Sequence, residues 1–168
     1  MAINEMLLLE FDQESATTRL LLERVPAQDA DWKPHPKSMS LGALAAHVAN
    51  LAGWLGMTLT TTELDVHPPG GGPWVPPAFT TVAALLAAFD KNVASSRAAL
   101  TGAADADFAV PWTLKGGDQV YFTFPRAVVV RSFALSHLIH HRAQLGVYLR
   151  LRDVPLPPCY GPTADTGM

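Results

Sequence analysis

Four stretches with one apolar face each, separated by segments rich in proline and glycine, constrain the fold of this chain more than any other feature. Apolar residues recur in each stretch at intervals of three and four, which is the period of an amphipathic helix. Proline cannot continue the interior of a helix, so each Pro-rich segment must end one. The predicted helices run from about Asn4 to Val25, from after Ser38 or Ser40 through Trp54, from Thr80 or Thr81 to Gly102, and from Pro125 to about Leu151.

The segments between these helices carry their own signals. Residues 26–39 contain three prolines and cannot form a continuous helix. Residues 66–73 contain three prolines and three glycines, so regular structure should end there. Before the fourth helix, residues 112–114 and 120–124 alternate in polarity around Gly116-Gly117. This pattern predicts a short β-hairpin or an extended loop.

Four helices of this kind have one economical way to bury their apolar faces, which is a four-helix bundle. We therefore predict an all-α fold, with the hairpin or loop as a short insertion before the last helix. The 168 residues have the length of one ordinary domain. We take residues 1–168 as that domain and expect its tail, residues 152–168, to extend over the surface. The long connections on either side of the second helix permit crossovers.

Charge and composition exclude several classes of function. The formal net charge of −3 offers no basic surface, so neither nucleic acid nor an anionic membrane is expected as a partner. The N-terminal residues lack a basic segment, and no run of about 18 apolar residues occurs, so we expect a cytoplasmic protein that does not span a membrane. The single cysteine, Cys159, excludes an intramolecular disulfide and a cysteine-rich zinc site. A metal site would have to use imidazole and carboxylate ligands.

Three of the six histidines fall in the pentapeptide His137-Leu138-Ile139-His140-His141. Side chains four residues apart lie on one face of a helix, so His137 and His141 can reach the same ion. His47 lies on the apolar stripe of the second helix and can face them across the bundle. Taken alone, His47 would be a hydrogen-bonded core histidine. As a third nitrogen it completes a set that leaves one coordination position open, as in catalytic zinc sites. We predict that His47, His137 and His141 bind a metal.

The third histidine of the pentapeptide, His140, cannot face the same ion, because a helix advances about 100° per residue. A pair of His137 and His140 is the alternative, but His137 and His141 lie closer to the middle of the apolar face. We place His140 at the helix flank, where it contacts a loop or a second subunit or supports the ligands. His35 and His67 lie beside prolines and are expected at the surface.

Four other residues have two interpretations each. Glu14 and Thr18 interrupt the apolar line of the first helix; they could reach the site, but a solvated helix flank is favoured. Trp54, beyond His47, is favoured as core packing over a platform for substrate. Arg142 fits a clamp for an anionic group and a surface ion pair equally well. No general base is identified.

Three segments of the chain resemble the DinB-like superfamily, which includes damage-inducible and YfiT-like metalloenzymes. Residues 32–42, WKPHPKSMSLG, followed by residues 44–47, LAAH, resemble the second-helix region of that family. Residues 137–144, HLIHHRAQ, are similar to its fourth-helix signature, and VYLR at residues 147–150, with YGP and AD in the tail, matches its closest members. The segments occur in the order and spacing of the family over nearly the whole chain.

The resemblance implies a four-helix bundle in up-down-down-up order, a homodimer, and a divalent ion such as Zn, Ni or Fe held by His47, His137 and His141. His140 matches a common position that does not bind the ion. Some relatives are S-transferases that use low-molecular-weight thiols such as mycothiol, bacillithiol or glutathione. The implied function is a metal-dependent enzyme that activates such a thiol, or water in a hydrolase, toward a small-molecule substrate. The alternative is a non-catalytic, stress-related bundle that binds a ligand or a metal, and a structural ion there would be expected to have four protein ligands.

Overall fold

A computed structural model of the chain describes residues 2–71, 75 and 77–166. It contains four main helical units and a small sheet that precedes the last unit, which confirms the predicted bundle with its β-hairpin insertion. The helices are α1 (Ile3–Leu22), α2 (Leu41–Leu51), α3 (Trp54–Thr60), α4 (Val82–Gly102), α5 (Arg126–Val129) and α6 (Ser136–Leu151). The strands are β1 (Glu63–Asp65), β2 (Pro111–Gly116) and β3 (Gln119–Pro125).

Hydroxyl caps fix where two of the helices begin. The Ser40 side chain accepts a hydrogen bond from the Ala43 amide at 3.2 Å, and Thr81 accepts one from Ala84 at 3.1 Å. Each hydroxyl satisfies an amide that has no partner within the first helical turn. Of the two candidates that the sequence offers for each start, the structure uses Ser40 and Thr81.

The second helical unit is interrupted, whereas the sequence predicted one helix through Trp54. Two polar side chains of α4 take over its backbone bonds at the break. Asn92 Nδ2 donates to the Ala49 carbonyl at 3.0 Å, and the Gly53 amide bonds to Asn50 instead. Ser96 Oγ donates to the Ala52 carbonyl at 2.6 Å and accepts from the Gly56 amide at 3.0 Å. Side chains inserted in this way separate α2 from α3 without leaving these backbone groups unpaired.

The sheet has the order β1-β2-β3, with β1 parallel to β2 and β2 antiparallel to β3. The predicted hairpin is therefore confirmed, and Gly117 in its turn has a φ of +60°, which favours glycine. The sequence missed β1. Its residue Asp65 accepts hydrogen bonds from the Gly117 and His67 amides, both at 2.9 Å, and so ties the segment after α3 to the hairpin turn.

The predicted break at residues 66–73 is confirmed over residues 66–71, which form neither helix nor strand, while Gly72 and Pro73 lie outside the described residues. Pro125 ends β3 and is the N-cap residue of α5, which begins at Arg126. The sequence placed Pro125 one position later, within the first turn of the helix.

The fourth helical unit changes its winding. Between α5 and α6 the segment Val130–Leu135 is a π-helix, and the Ser136 amide bonds to the Arg131 carbonyl five residues earlier. Such π-turns widen a helix and are frequent at functional sites. This one lies immediately before the turn that carries His137.

The bundle core lies between helices that are not neighbours in the sequence. Both α1 and α2 pack against α4 and α6, as the two long connections permit. One cluster of buried side chains joins α1, α2, α4 and α6, and a second joins α1, α3, α4 and the π-helical segment. None of the helices in the described ranges combines the length and the apolar character needed to cross a membrane.

Candidate metal centre

The three predicted ligands converge from two helical units. His47 comes from α2, and His137 and His141 come from consecutive turns of α6. One ring nitrogen from each lies within 4.8 Å of the others, and the Nε2 atoms of His137 and His141 are 3.0 Å apart. The ring centroid of His47 lies 4.6 Å from that of His141 and 5.3 Å from that of His137. The structure thus brings together the three histidines selected from the sequence.

Burial keeps these imidazoles neutral at physiological pH. Desolvation, followed by the proximity of His141 and His137, lowers the pKa of His47 to about 4. Burial is also the main cause that lowers the pKa values of His137 and His141. Neutral imidazole is the form that binds metals. The Nε2 atoms of His137 and His141 face each other, and with the proton of each ring on Nδ1 both offer a lone pair to a divalent cation, so the donor set fits a metal.

Two further contacts orient the rings. His141 Nδ1 lies 2.7 Å from Gln144 Oε1, so the amide oxygen accepts its proton and leaves Nε2 directed at His137. His137 forms a hydrogen bond with the backbone of Phe133 in the π-helical segment. Partners of this kind fix the tautomer of a ligating histidine. The role of Gln144 was missed, although its spacing of three residues from His141 on one helix was a usable signal.

The remaining histidines lie outside the cluster. His140 is exposed at the helix flank, as expected, with its ring centroid 4.9 Å from that of His141. The histidine that joins His137 near His47 is His141, so the alternative pair of His137 and His140 is not the one the structure forms. His35 is exposed in the loop before α2. His67 is exposed too, as expected, but it also lines a cavity that opens beside His47.

This cavity has a volume of about 570 Å³ and lies between the α2–α3 unit, α4 and the sheet. Trp54 and Phe133 form part of its wall, stacked at 4.7 Å between ring centroids with planes 30° apart. Trp54 packs against both core clusters, as expected, and it also faces the cavity. A small molecule in this space would contact His47.

The solvated flank expected for Glu14 and Thr18 is wrong, because both side chains are buried between α1 and α6. Glu14 is 6% exposed and pairs at 2.5 Å with Arg142, which is 2% exposed. Tyr160 of the tail covers the pair, with its hydroxyl 2.9 Å from both carboxylate oxygens of Glu14. Burial and the bond to Glu14 raise the pKa of Tyr160. Arg142 therefore forms a buried ion pair, which was neither of its predicted roles.

Three neutral imidazoles that converge inside a helical bundle, one of which, His47, also lines a cavity, define a candidate metal-binding bundle. A family model described as the DinB superfamily matches residues 10–145, a range that includes all three histidines. The chain therefore belongs to the DinB superfamily. No protein with a curated description matches the sequence.

Two solved structures show the same fold. A DinB-like protein from Bacillus cereus, solved at 2.01 Å resolution, is 20% identical with a TM-score of 0.71, and the match covers 95% of this chain and 98% of that one. A DinB-like protein from Bacillus subtilis, solved at 2.30 Å resolution, is 17% identical with a TM-score of 0.69, covering 92% and 96% of the two chains. The fold of this chain is thus that of DinB-like proteins over nearly their full length.

Proposed function

We propose that this protein is a divalent-metal-dependent enzyme in which His47, His137 and His141 hold the ion. The observation that carries the proposal is the convergence of three neutral ring nitrogens within 4.8 Å of one another. Three protein ligands with an open position are typical of catalytic sites, whereas structural zinc sites use four. Imidazole suits Zn, Ni and Fe, so any of the three is a candidate ion.

A bound divalent cation would lower the pKa of a coordinated thiol or water, so that its anion forms at neutral pH. In this chain, Gln144 and the Phe133 backbone hold two of the ligand rings in place. The cavity beside His47 provides space for a small-molecule substrate. We propose thiol S-transfer as the leading reaction and hydrolysis as the second.

The lining of the cavity supports the preference for a thiol. Among the residues of its wall that the structure describes, none is a carboxylate, and the one imidazole other than His47, that of His67, is exposed. Water needs the help of a general base more than a thiol does, because a free thiol already ionises with a pKa of about 8.5. A thiol could therefore lose its proton here with less assistance from the protein.

Coordination of a thiol gives the direct test of this proposal. The protein is loaded with Co²⁺ as a spectroscopic substitute and titrated with 2-mercaptoethanol. We expect sulfur-to-cobalt charge-transfer absorption in the wild type and in His140→Ala, and its loss in His47→Ala. A wild-type protein that retains less than about a tenth of an equivalent of Co, Zn, Ni or Fe after reconstitution would contradict the proposal, since such sites bind tightly.

We also propose that the protein forms a homodimer, as the resemblance to its family implies. Large apolar side chains are exposed on α1 and α6, including Leu9 at 68% and Val147 at 59%. Apolar patches on a soluble domain often mark protein contacts. Light scattering coupled to size exclusion should give twice the chain mass of 18.0 kDa, and a mass of one chain at high micromolar concentration would contradict this.

A further inference from the structure

The wall of the cavity beside His47 is apolar over most of its area. Side chains from α3, β1, β2, the segment after β1 and the π-helical segment form this apolar part. They are Trp54, Met57, Leu64, Val66, Leu114 and Phe133. The stacked pair of Trp54 and Phe133 presents aromatic surface, and aromatic rings pack favourably on such surfaces.

The described part of the wall carries no Lys, Arg, Asp or Glu. The nearest cation in the sequence of β2 is Lys115, next to Leu114, and its Nζ pairs with Glu63 at 2.8 Å. In the metal-free protein, an anionic group held against the apolar part of the wall would lose water without gaining a Lys or Arg counter-ion, and burying an unpaired charge is strongly unfavourable. Away from the proposed metal site, the cavity therefore disfavours carboxylates and phosphates.

The polar part of the wall offers one oriented acceptor, Asn92 Oδ1. Its amide nitrogen donates to the Ala49 carbonyl at 3.0 Å, and because a carbonyl can only accept, this bond fixes which end of the amide is the oxygen. Gly53, another residue of the wall, lies next to this oxygen: a β-carbon at its position would be only 3.1 Å from Asn92 Oδ1. Because glycine has no side chain, the oxygen keeps its space at the cavity wall. Within the described part of the chain no group donates to Asn92 Oδ1.

From these features we infer that the cavity binds an uncharged molecule with an aromatic body and an N–H or O–H group that donates to Asn92 Oδ1. The body lies against Trp54 and Phe133, and one end reaches His47. That this molecule is the electrophilic substrate rests on the proposed function, whereas its binding does not require the metal. A thiol substrate with free carboxylates has to keep them outside this cavity.

Three matched probes test the inference on protein freed of metal with a chelator. Acetanilide has the aromatic body and an N–H donor, N-methylacetanilide lacks the donor, and 4-acetamidobenzoate adds a carboxylate. Binding is followed by chemical-shift changes of the Asn92 side-chain amide and the Gly53 and Trp54 backbone amides. We expect N-methylacetanilide to bind about three- to tenfold more weakly than acetanilide. We expect 4-acetamidobenzoate to bind at least about tenfold more weakly.

Single substitutions in the wall test which residues cause the two differences in affinity, one from the N–H donor and one from the carboxylate. Asn92→Ala should bind acetanilide and N-methylacetanilide equally, whereas Asn50→Ala, which removes the other amide of the wall, should keep the difference. Met57→Lys introduces a cation into the wall and should raise the affinity for 4-acetamidobenzoate, while Met6→Lys, on the exposed side of α1, should not. Because the probe series alone tests the donor and the charge, the inference stays falsifiable if Asn92→Ala does not fold.

The outcomes separate this inference from the proposed function. Equal or tighter binding of either control probe, or no binding of any probe at its solubility limit, would overturn the inference. If the three probes bind with the predicted order of affinities but the protein binds no metal, the inference is supported and the proposed function fails. A protein that binds metal through its histidines but shows the wrong probe order would overturn only the inference.

Discussion

Gln144 Oε1 lies 2.7 Å from His141 Nδ1, three residues away on the same helix, and so directs the other nitrogen of that ring at His137. Removing a partner that orients a ligating histidine typically costs about 10- to 100-fold in metal affinity. We expect Gln144→Ala to weaken binding of Zn²⁺ by about tenfold in a chelator competition. Gln13→Ala, the same change at an exposed position of α1, should leave the affinity unchanged. Equal affinities in the two variants would show that the contact does not support the site.

The ion pair of Glu14 and Arg142 should contribute to stability far more than the exposed pairs do. Glu14→Ala leaves the buried Arg142 guanidinium without its counter-charge, which typically costs about 3–5 kcal/mol. Glu23→Ala removes an exposed partner of Arg19 and should cost less than about 1 kcal/mol. Urea denaturation compares the two variants. A loss for Glu14→Ala no larger than that for Glu23→Ala would contradict the role assigned to the buried pair.

Ser96 should be needed for the break between α2 and α3, because its hydroxyl bonds to both the Ala52 carbonyl and the Gly56 amide. Ser96→Ala leaves two buried backbone groups without this partner and should lower the free energy of unfolding by about 1–3 kcal/mol. The neighbouring Ser95 is exposed, so Ser95→Ala is the matched control and should be neutral within about 0.5 kcal/mol. Thermal unfolding of both variants gives the comparison. Equal midpoints would contradict the account.

The metal-free protein should lose stability as the pH falls from about 6.5 toward 4. The pKa of His47 is about 4 in the folded chain, against an ordinary value near 6.5, so the unfolded chain binds more protons in this interval. The free energy of unfolding therefore declines with falling pH until both states are protonated. Because the His47 ring is only half-buried, solvent screening reduces its expected contribution to the order of 1 kcal/mol.

Comparing variants across this interval isolates the contribution of His47. Urea denaturation at pH 7 and pH 5 should show a smaller loss in metal-free His47→Gln than in the wild type. His35→Gln changes an exposed loop residue and should keep the wild-type dependence. A wild-type protein whose stability is the same at both pH values would contradict the assignment of lowered pKa values to the cluster.

Local patterns in the sequence were enough to predict the helices and the ligand set. Apolar periodicity and hydroxyl caps depend on residues a few positions apart, and so does the pairing of His137 with His141. His47 could be added because a bundle turns the apolar faces of its helices toward one interior. These features needed no knowledge of which helices are neighbours.

The features that the sequence did not predict depend on contacts between distant residues. The break after α2 depends on Asn92 and Ser96, more than 40 positions along the chain. Glu14 is buried because Arg142, 128 positions away, neutralises it. β1 has only three residues and is stabilised by pairing with β2, so it lacks an alternating pattern of its own. In each case the deciding partner lies on another element.

Metal stoichiometry in a set of single histidine variants tests the central claim most directly. Wild type, His47→Ala, His137→Ala, His141→Ala and His140→Ala are reconstituted with Zn²⁺, passed through a desalting column and analysed for bound metal. We predict close to one equivalent in the wild type and in His140→Ala, and loss of most of the metal in the other three. Full occupancy in His47→Ala, or loss of metal in His140→Ala alone, would contradict the three-histidine site.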